Sequence, residues 1–180
     1  ERHFRLLKEN TSLELWAYDI PVCVHTKLSP DLLMRLGRDG VIDGVKDSSG
    51  DDVAFRWLCL ANEAAGHPMQ LLTGHEVVVD GAYMSGADGS VPGLANVDPE
   101  GYVRQWQAYE RRDWETVRSE QDRLAELMRI VQVKGVAGFG AGVGAFKAAL
   151  HLLGVFDSAE MPRPVAALEG DNVEHVASVL

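Results

Sequence analysis

Cysteine is scarce in this chain of 180 residues. The two present, Cys23 and Cys59, make no disulfide framework and have no metal-ligand spacing. Free thiols of that kind fit a reducing cytoplasm, the location expected for the protein. Basic charge is also short: 17 Lys and Arg against 27 Asp and Glu leave a formal net charge of -10. That balance argues against non-specific binding to nucleic acid or to an anionic membrane. No apolar run approaches the length of a membrane span, and residues 1–8 are amphipathic rather than cationic-then-apolar like a secretory signal. The histidines form no i, i+4 pair and no cluster with carboxylates, so no metal is expected. The glycine-rich stretch 135–144 follows no strand pattern, has the wrong spacing for a dinucleotide fingerprint and lacks the Gly-Lys-Ser/Thr ending of a P-loop. It reads as a flexible or closely packed link.

What the chain does contain is globular composition, with 46% hydrophobic and 24% charged residues. No Met opens it, and His3, Phe4, Leu6 and Leu7 read as the last turns of a helix already under way. Short apolar runs at 13–20, 41–45, 69–73 and 86–91 read as strands, with Pro21 stopping the first. Between them Ser29-Pro30-Asp31 opens a short helix. A second helix spans 51–65 with Val53, Phe55, Leu58, Leu60 and Ala61 on its stripe, and a third lies within 76–84. Strand and helix alternate four times, the pattern of a parallel sheet with crossover helices. Asp98-Pro99-Glu100 starts a helix, and from Asp113 the pattern is helix only: Trp114, Val117, Leu124, Met128 and Val131 recur at three- and four-residue intervals, with Gln121 the polar exception. Helices at 145–153 and 173–180 close the chain.

The stretch Asp43-Gly-Val-Lys46-Asp-Ser-Ser-Gly50 places a lysine at the carboxyl end of a buried strand. Burial disfavours the ammonium, and the neutral amine is the form that attacks a ketone to make a Schiff base. An isolated strand-end lysine otherwise snorkels into solvent. Company decides between the two. Tyr18-Asp-Ile-Pro21 ends the first strand, Gly44-Val-Lys46-Asp-Ser-Ser-Gly-Asp51 the second and Leu71-Leu-Thr-Gly74 the third, and the run from Gly86 to Asn96 forms the fourth.

Together, in this order, these motifs resemble the dihydrodipicolinate synthase/N-acetylneuraminate lyase family of pyruvate-dependent class I aldolases. The resemblance implies an α/β fold, a (β/α)8 TIM barrel longer than this chain. Of that barrel the chain holds strands 5–8 plus C-terminal helices. Residues 1–111 are then the C-terminal half of the barrel and residues 112–180 a helical region packed on it. The chain is expected to be part of a longer polypeptide, or to be completed by a separate chain, because half a barrel leaves strand edges unpaired.

The same resemblance implies that Lys46 forms the Schiff base with pyruvate or another 2-oxo acid and that Tyr18 relays protons. It places Gly74 and Val91 where backbone approaches the substrate. Ser48 either touches substrate or caps the following helix. An aldehyde is the possible second substrate, no cofactor is implied, and a homo-oligomer, tetramer or dimer, is expected. One departure stands out. Members that make dihydrodipicolinate have an arginine shortly after the tyrosine motif, and here Cys23 stands at that position; a thiol does not replace a bidentate guanidinium. An aldolase or dehydratase acting on a sugar acid or other 2-oxo acid fits better. His25 and Lys27 read as loop residues facing solvent, with recognition of the second substrate as their alternative role. Asp47 reads as a residue opening the next helix rather than a catalytic base, and His75 is the one further histidine near the mouth, a lesser candidate for substrate contact. The alternative is a catalytically silent paralogue or fragment serving as a binding or regulatory module.

Overall fold

The alternating runs of residues 13–91 fold into a four-stranded parallel sheet in the order β1-β2-β3-β4. In the computed structural model, which describes residues 1–180, these strands are β1 (Trp16–Asp19), β2 (Gly44–Asp47), β3 (Gln70–Thr73) and β4 (Gly89–Ser90). Helix α1 (Arg2–Glu9) precedes them. Consecutive strands are joined through α2 (Pro21–Val24) and α3 (Pro30–Arg38), then α4 (Asp52–Ala64), then α5 (Val79–Met84). These elements make one compact unit, Glu1–Pro92.

Every strand is shorter than the apolar run that signals it. Val41 and Ile42 are buried, but both give their N–H groups to the Leu36 carbonyl and so close α3. The ladder of β2 therefore starts later and includes Lys46 and Asp47. At the fourth strand Gly86, at φ +99°, turns the chain, and Ala87 bonds back to Ala82. Only the segment after that turn pairs with β3. Helix α2 has no counterpart in the sequence reading; Pro21 fits its first turn, and His25 closes it in the left-handed region at φ 55°.

Alternation of side chains across the sheet buries Ala17, Asp19, Val45, Asp47, Leu71 and Thr73 on one face. Tyr18, Lys46, Leu72 and Gly89 form one row on the other. Asp51 caps α4 by accepting the Ala54 N–H at 2.9 Å. The buried stripe of α4 is Phe55, Leu58, Cys59 and Asn62, whereas Val53 and Leu60 stand exposed. Asn62 spans the Met69 backbone, donating to its carbonyl at 2.8 Å and accepting its N–H at 3.2 Å, and so docks α4 to the start of β3. Burial pushes the Cys59 thiol pKa up to about 12, which leaves it inert as a nucleophile.

The second compact unit is Gly93–Leu180. It consists of α6 (Pro99–Glu110), α7 (Trp114–Leu127), α8 (Phe139–Leu152) and α9 (Asp171–Val179), with 3-10 turns at Gly93–Asn96 and Met128–Val131. Within this unit α6 packs on α7. Gln121 shows how: it is buried, and its side-chain oxygen accepts from the Gln105 amide at 3.0 Å. The glycine-rich stretch is only partly a connector, since α8 already starts at Phe139 and holds Gly140, Gly142 and Gly144. No helix is long and apolar enough to cross a membrane.

Candidate active site

Parallel pairing puts Tyr18 directly opposite Lys46. Both side chains rise on the open face, where Tyr18 is 47% exposed and Lys46 is half-buried. The Lys46 ammonium lies over the phenol ring, 4.5 Å from its centroid, within the range of a cation–π contact. Ser48, in the turn after β2, donates its hydroxyl to the Tyr18 phenol oxygen at 3.4 Å. The cap of α4 is Asp51, so the capping role open to Ser48 is taken and its side chain faces the Tyr18–Lys46 pair instead.

Gly74 closes the third side. Its N–H donates to the Asp47 carbonyl at 2.7 Å, which draws the backbone after β3 against the end of β2. A Cβ at this position would collide with the Ser48 hydroxyl and lie 2.9 Å from Lys46 Cε. Glycine here keeps the approach to the lysine open. Val91 donates its N–H to Thr73 at 2.8 Å, and its side chain is exposed beyond the end of β4. Tyr18, Lys46, Ser48 and Gly74 are thus gathered by contact, and Val91 lies at the same end of the sheet. His75 is held by Asp52, its Nδ1 3.1 Å from the carboxylate. An apolar cleft of about 550 Å³ between α4 and α5, lined by Val53, Phe55, Trp57, Leu60, Val78 and Ala82, includes none of these residues.

The buried face beneath this row differs from the sequence reading. Lys27 is exposed as a residue, but its ammonium is bound to Asp19 and lies 3.4 Å from Asp47. Burial works against its charge, yet the hydrogen bond to Asp19 and the negative charge of Asp47 hold its pKa above the usual lysine range. Asp47 is the last residue of β2 and accepts both the N–H and the hydroxyl of Ser49 at 2.8 Å, which shapes the turn toward α4. Nothing in the sequence flags the Lys27 contacts: the loop after α2 brings Lys27 back to Asp19, and strand register sets Asp47 beside Asp19. His25 and Cys23 are exposed.

The whole chain, residues 1–180, matches the Dihydrodipicolinate synthetase family. An uncharacterised DapA-like lyase of Halobacterium salinarum is 31% identical over 94% of this chain and 52% of its own length. A 4-hydroxy-tetrahydrodipicolinate synthase of Phenylobacterium zucineum is 30% identical over 69% of this chain and 42% of its own. Among solved structures, the dihydrodipicolinate synthase of Bacteroides thetaiotaomicron superposes with a TM-score of 0.88 at 26% identity, over 99% of this chain and 59% of that one. YagE, a prophage protein of the dihydrodipicolinic acid synthase family from E. coli K12 solved in complex with pyruvate, gives 0.89 at 20% identity over 99% and 58%. The chain therefore spans about half the length of the relatives it matches. By sequence over its full extent, and by the α/β fold that four parallel strands give it, this chain belongs to the dihydrodipicolinate synthetase family.

Proposed function

We propose that this chain supplies the reacting lysine of a class I aldolase, lyase or hydro-lyase that acts on pyruvate or another 2-oxo acid. In this reading β1–β4 are strands 5–8 of a (β/α)8 barrel, and the row Tyr18, Lys46, Leu72 and Gly89 faces its interior. Catalytic groups of such barrels stand at the carboxyl ends of the strands, which is where Tyr18 and Lys46 are. The observation that carries the reading is the Lys46 ammonium 4.5 Å from the Tyr18 ring centroid, with the phenol oxygen bridged to Ser48.

The chemistry follows from that pairing. Lys46, as the free amine, adds to the ketone carbon to give a carbinolamine; loss of water gives an iminium. The iminium draws electrons from the adjacent carbon, so a proton or a carbon substituent leaves there and an enamine forms. Tyr18 passes the protons that each stage needs, a contribution typically worth about 10²–10⁴ in rate. Ser48 holds the phenol in place, and Gly74 and Val91 leave backbone open to the substrate.

The rim beyond β1 supports a second substrate without a carboxylate at that edge. Val22, Cys23 and Val24 are exposed there, and Lys27, the one permanently cationic side chain of the segment, is already bound by Asp19 and Asp47. An apolar or hydroxylated aldehyde suits such a rim better than the dicarboxylic chemistry of dihydrodipicolinate formation.

Denaturing intact-mass spectrometry of the purified gene product, with and without pyruvate plus borohydride, tests the reading. A reduced adduct mapping to Lys46 is expected. It is absent in Lys46→Ala and forms about 10²-fold more slowly in Tyr18→Phe. An unmodified wild-type protein, challenged also with longer 2-oxo acids, would sink the aldolase reading and leave a binding or regulatory module.

A further inference from the structure

We infer that Lys27 is a positioning residue for the reacting pair: by binding Asp19 and Asp47 together, it fixes the carboxyl ends of β1 and β2, and with them the spacing of Tyr18 and Lys46. The inference rests on the reading of Tyr18 and Lys46 as the reacting groups.

Each of the two aspartates directly follows one of those groups in sequence, and the two are register partners across the parallel pair. Asp19 is 0% exposed, and Asp47 is also buried. Two carboxylates at neighbouring positions of a buried face repel each other, and burial adds a desolvation cost to both. One ammonium touching both converts that repulsion into a clamp. The remaining lone pairs are used locally. Asp19 Oδ1 accepts the Leu28 N–H at 3.1 Å, and Asp47 Oδ1 accepts from Ser49. The Asp19 carbonyl accepts the Ser48 N–H at 2.8 Å, and the Asp47 carbonyl accepts that of Gly74 at 2.7 Å.

A single polar network therefore ties the chain after β1, the turn holding Ser48 and the Gly74 backbone to the two strands bearing the site. Lys27 is its only cation. Without it the two buried carboxylates face each other with no counter-charge and separate, and the peptides of Tyr18 and Lys46 shift with them. A misplacement of about 1 Å is enough to cost about 10²-fold in rate. Lys27 does this from the face opposite the substrate, so it acts through the pair rather than on the reacting atoms.

The test uses the full gene product and measures the rate of borohydride-trapped imine formation at saturating pyruvate. Folding is followed separately by circular dichroism and thermal melts. Lys27→Met is expected to trap on Lys46 at least about 10-fold more slowly than wild type, with little change in the pyruvate concentration giving half the maximal rate. Lys27→Arg is expected to recover most of the loss, since a guanidinium can also span two carboxylates. Should Lys27→Met fail to fold, Lys27→Met combined with Asp19→Asn removes the excess buried charge and is measured the same way, again with slowed trapping expected. A folded Lys27→Met, or double variant, that traps at the wild-type rate whatever its melting temperature overturns the inference and leaves a stabilising ion pair only. A wild-type protein that forms no adduct instead overturns the Schiff-base reading beneath it.

Discussion

At Gly74 the need is for room rather than for backbone freedom. A Cβ would meet the Ser48 hydroxyl and approach Lys46 Cε to 2.9 Å, so Gly74→Ala forces the lysine stem aside without touching any charge. Overpacking of this kind typically costs about 1–3 kcal/mol. The larger effect should fall on chemistry: Gly74→Ala is expected to keep its fold and to lose about 10-fold or more in the rate of imine trapping. A wild-type rate in Gly74→Ala would show that the lysine does not react from the position seen here. The proximity of Tyr18, Lys46 and Gly74 is legible in the sequence because each lies in a short motif at a strand end, and the motifs occur in a fixed order. Ser48 was half-legible: the turn was evident, but only the structure shows that Asp51 takes the cap and frees the serine. Lys27 was not legible. Its partners lie eight and twenty residues away in sequence, and no local pattern announces the loop's return to Asp19 or the register that sets Asp47 beside it.

Whole elements were recovered better than their edges. The alternation of apolar runs and amphipathic helices gave the parallel sheet, yet Val53 and Leu60 are exposed on α4 and Asn62 is buried. Helical spacing cannot see that the Met69 backbone needs a partner, and an asparagine reads as surface. The glycine-rich stretch shows a related blind spot. Glycine lowers helix propensity by about 1 kcal/mol relative to alanine, so a run of them reads as a link, but close packing overrides propensity in α8. A Cβ on Gly140 would come within 2.7 Å of Val136 Cγ1, whereas Gly142 meets nothing within 4 Å. The two glycines should therefore respond oppositely. Gly142→Ala is expected to stabilise by about 0.5–1 kcal/mol, because it restores propensity at no steric cost. Gly140→Ala is expected to destabilise unless Val136 rotates away. Thermal melts of the two variants decide it; a Gly142→Ala that melts lower than wild type would mean that α8 does not start where the structure has it.

For the molecule as a whole, opposed titrations contribute to the pH dependence of stability. In the second unit Arg104 and Arg123 both bond Glu120, at 2.9 Å from each, and Arg123 also reaches Asp98 at 2.6 Å. The Arg104 hydrogen bond is the main cause that holds the Glu120 carboxyl below its usual range. At Asp98 burial opposes ionisation, but Arg123 and the Gly101 N–H prevail and the pKa is again lowered. In the first unit the Leu15 N–H and the Lys8 ammonium lower Asp43. A carboxyl depressed on folding stabilises above its unfolded pKa, about 4, and loses that contribution as pH falls through the folded value. His67 has the opposite sign. Burial disfavours its imidazolium, but Glu63 and Asp88 outweigh this and raise its pKa. Its contribution is complete below about pH 6.5 and is lost as pH rises through the folded value. The ring is more than a third exposed, so solvent screening keeps this second effect small. Melting temperature against pH is therefore expected to fall steeply below about pH 4 and to ease down slightly above neutrality. Other titrating groups overlie both limbs, so comparison of variants is the informative measurement. Glu120→Gln should shrink the acid fall and leave the neutral limb alone, and His67→Gln should flatten the neutral limb and leave the acid fall alone. An acid limb unchanged in Glu120→Gln would mean that Glu120 does not set the acid limit, and that the loss at low pH comes from other carboxyls such as Asp98 and Asp43 instead.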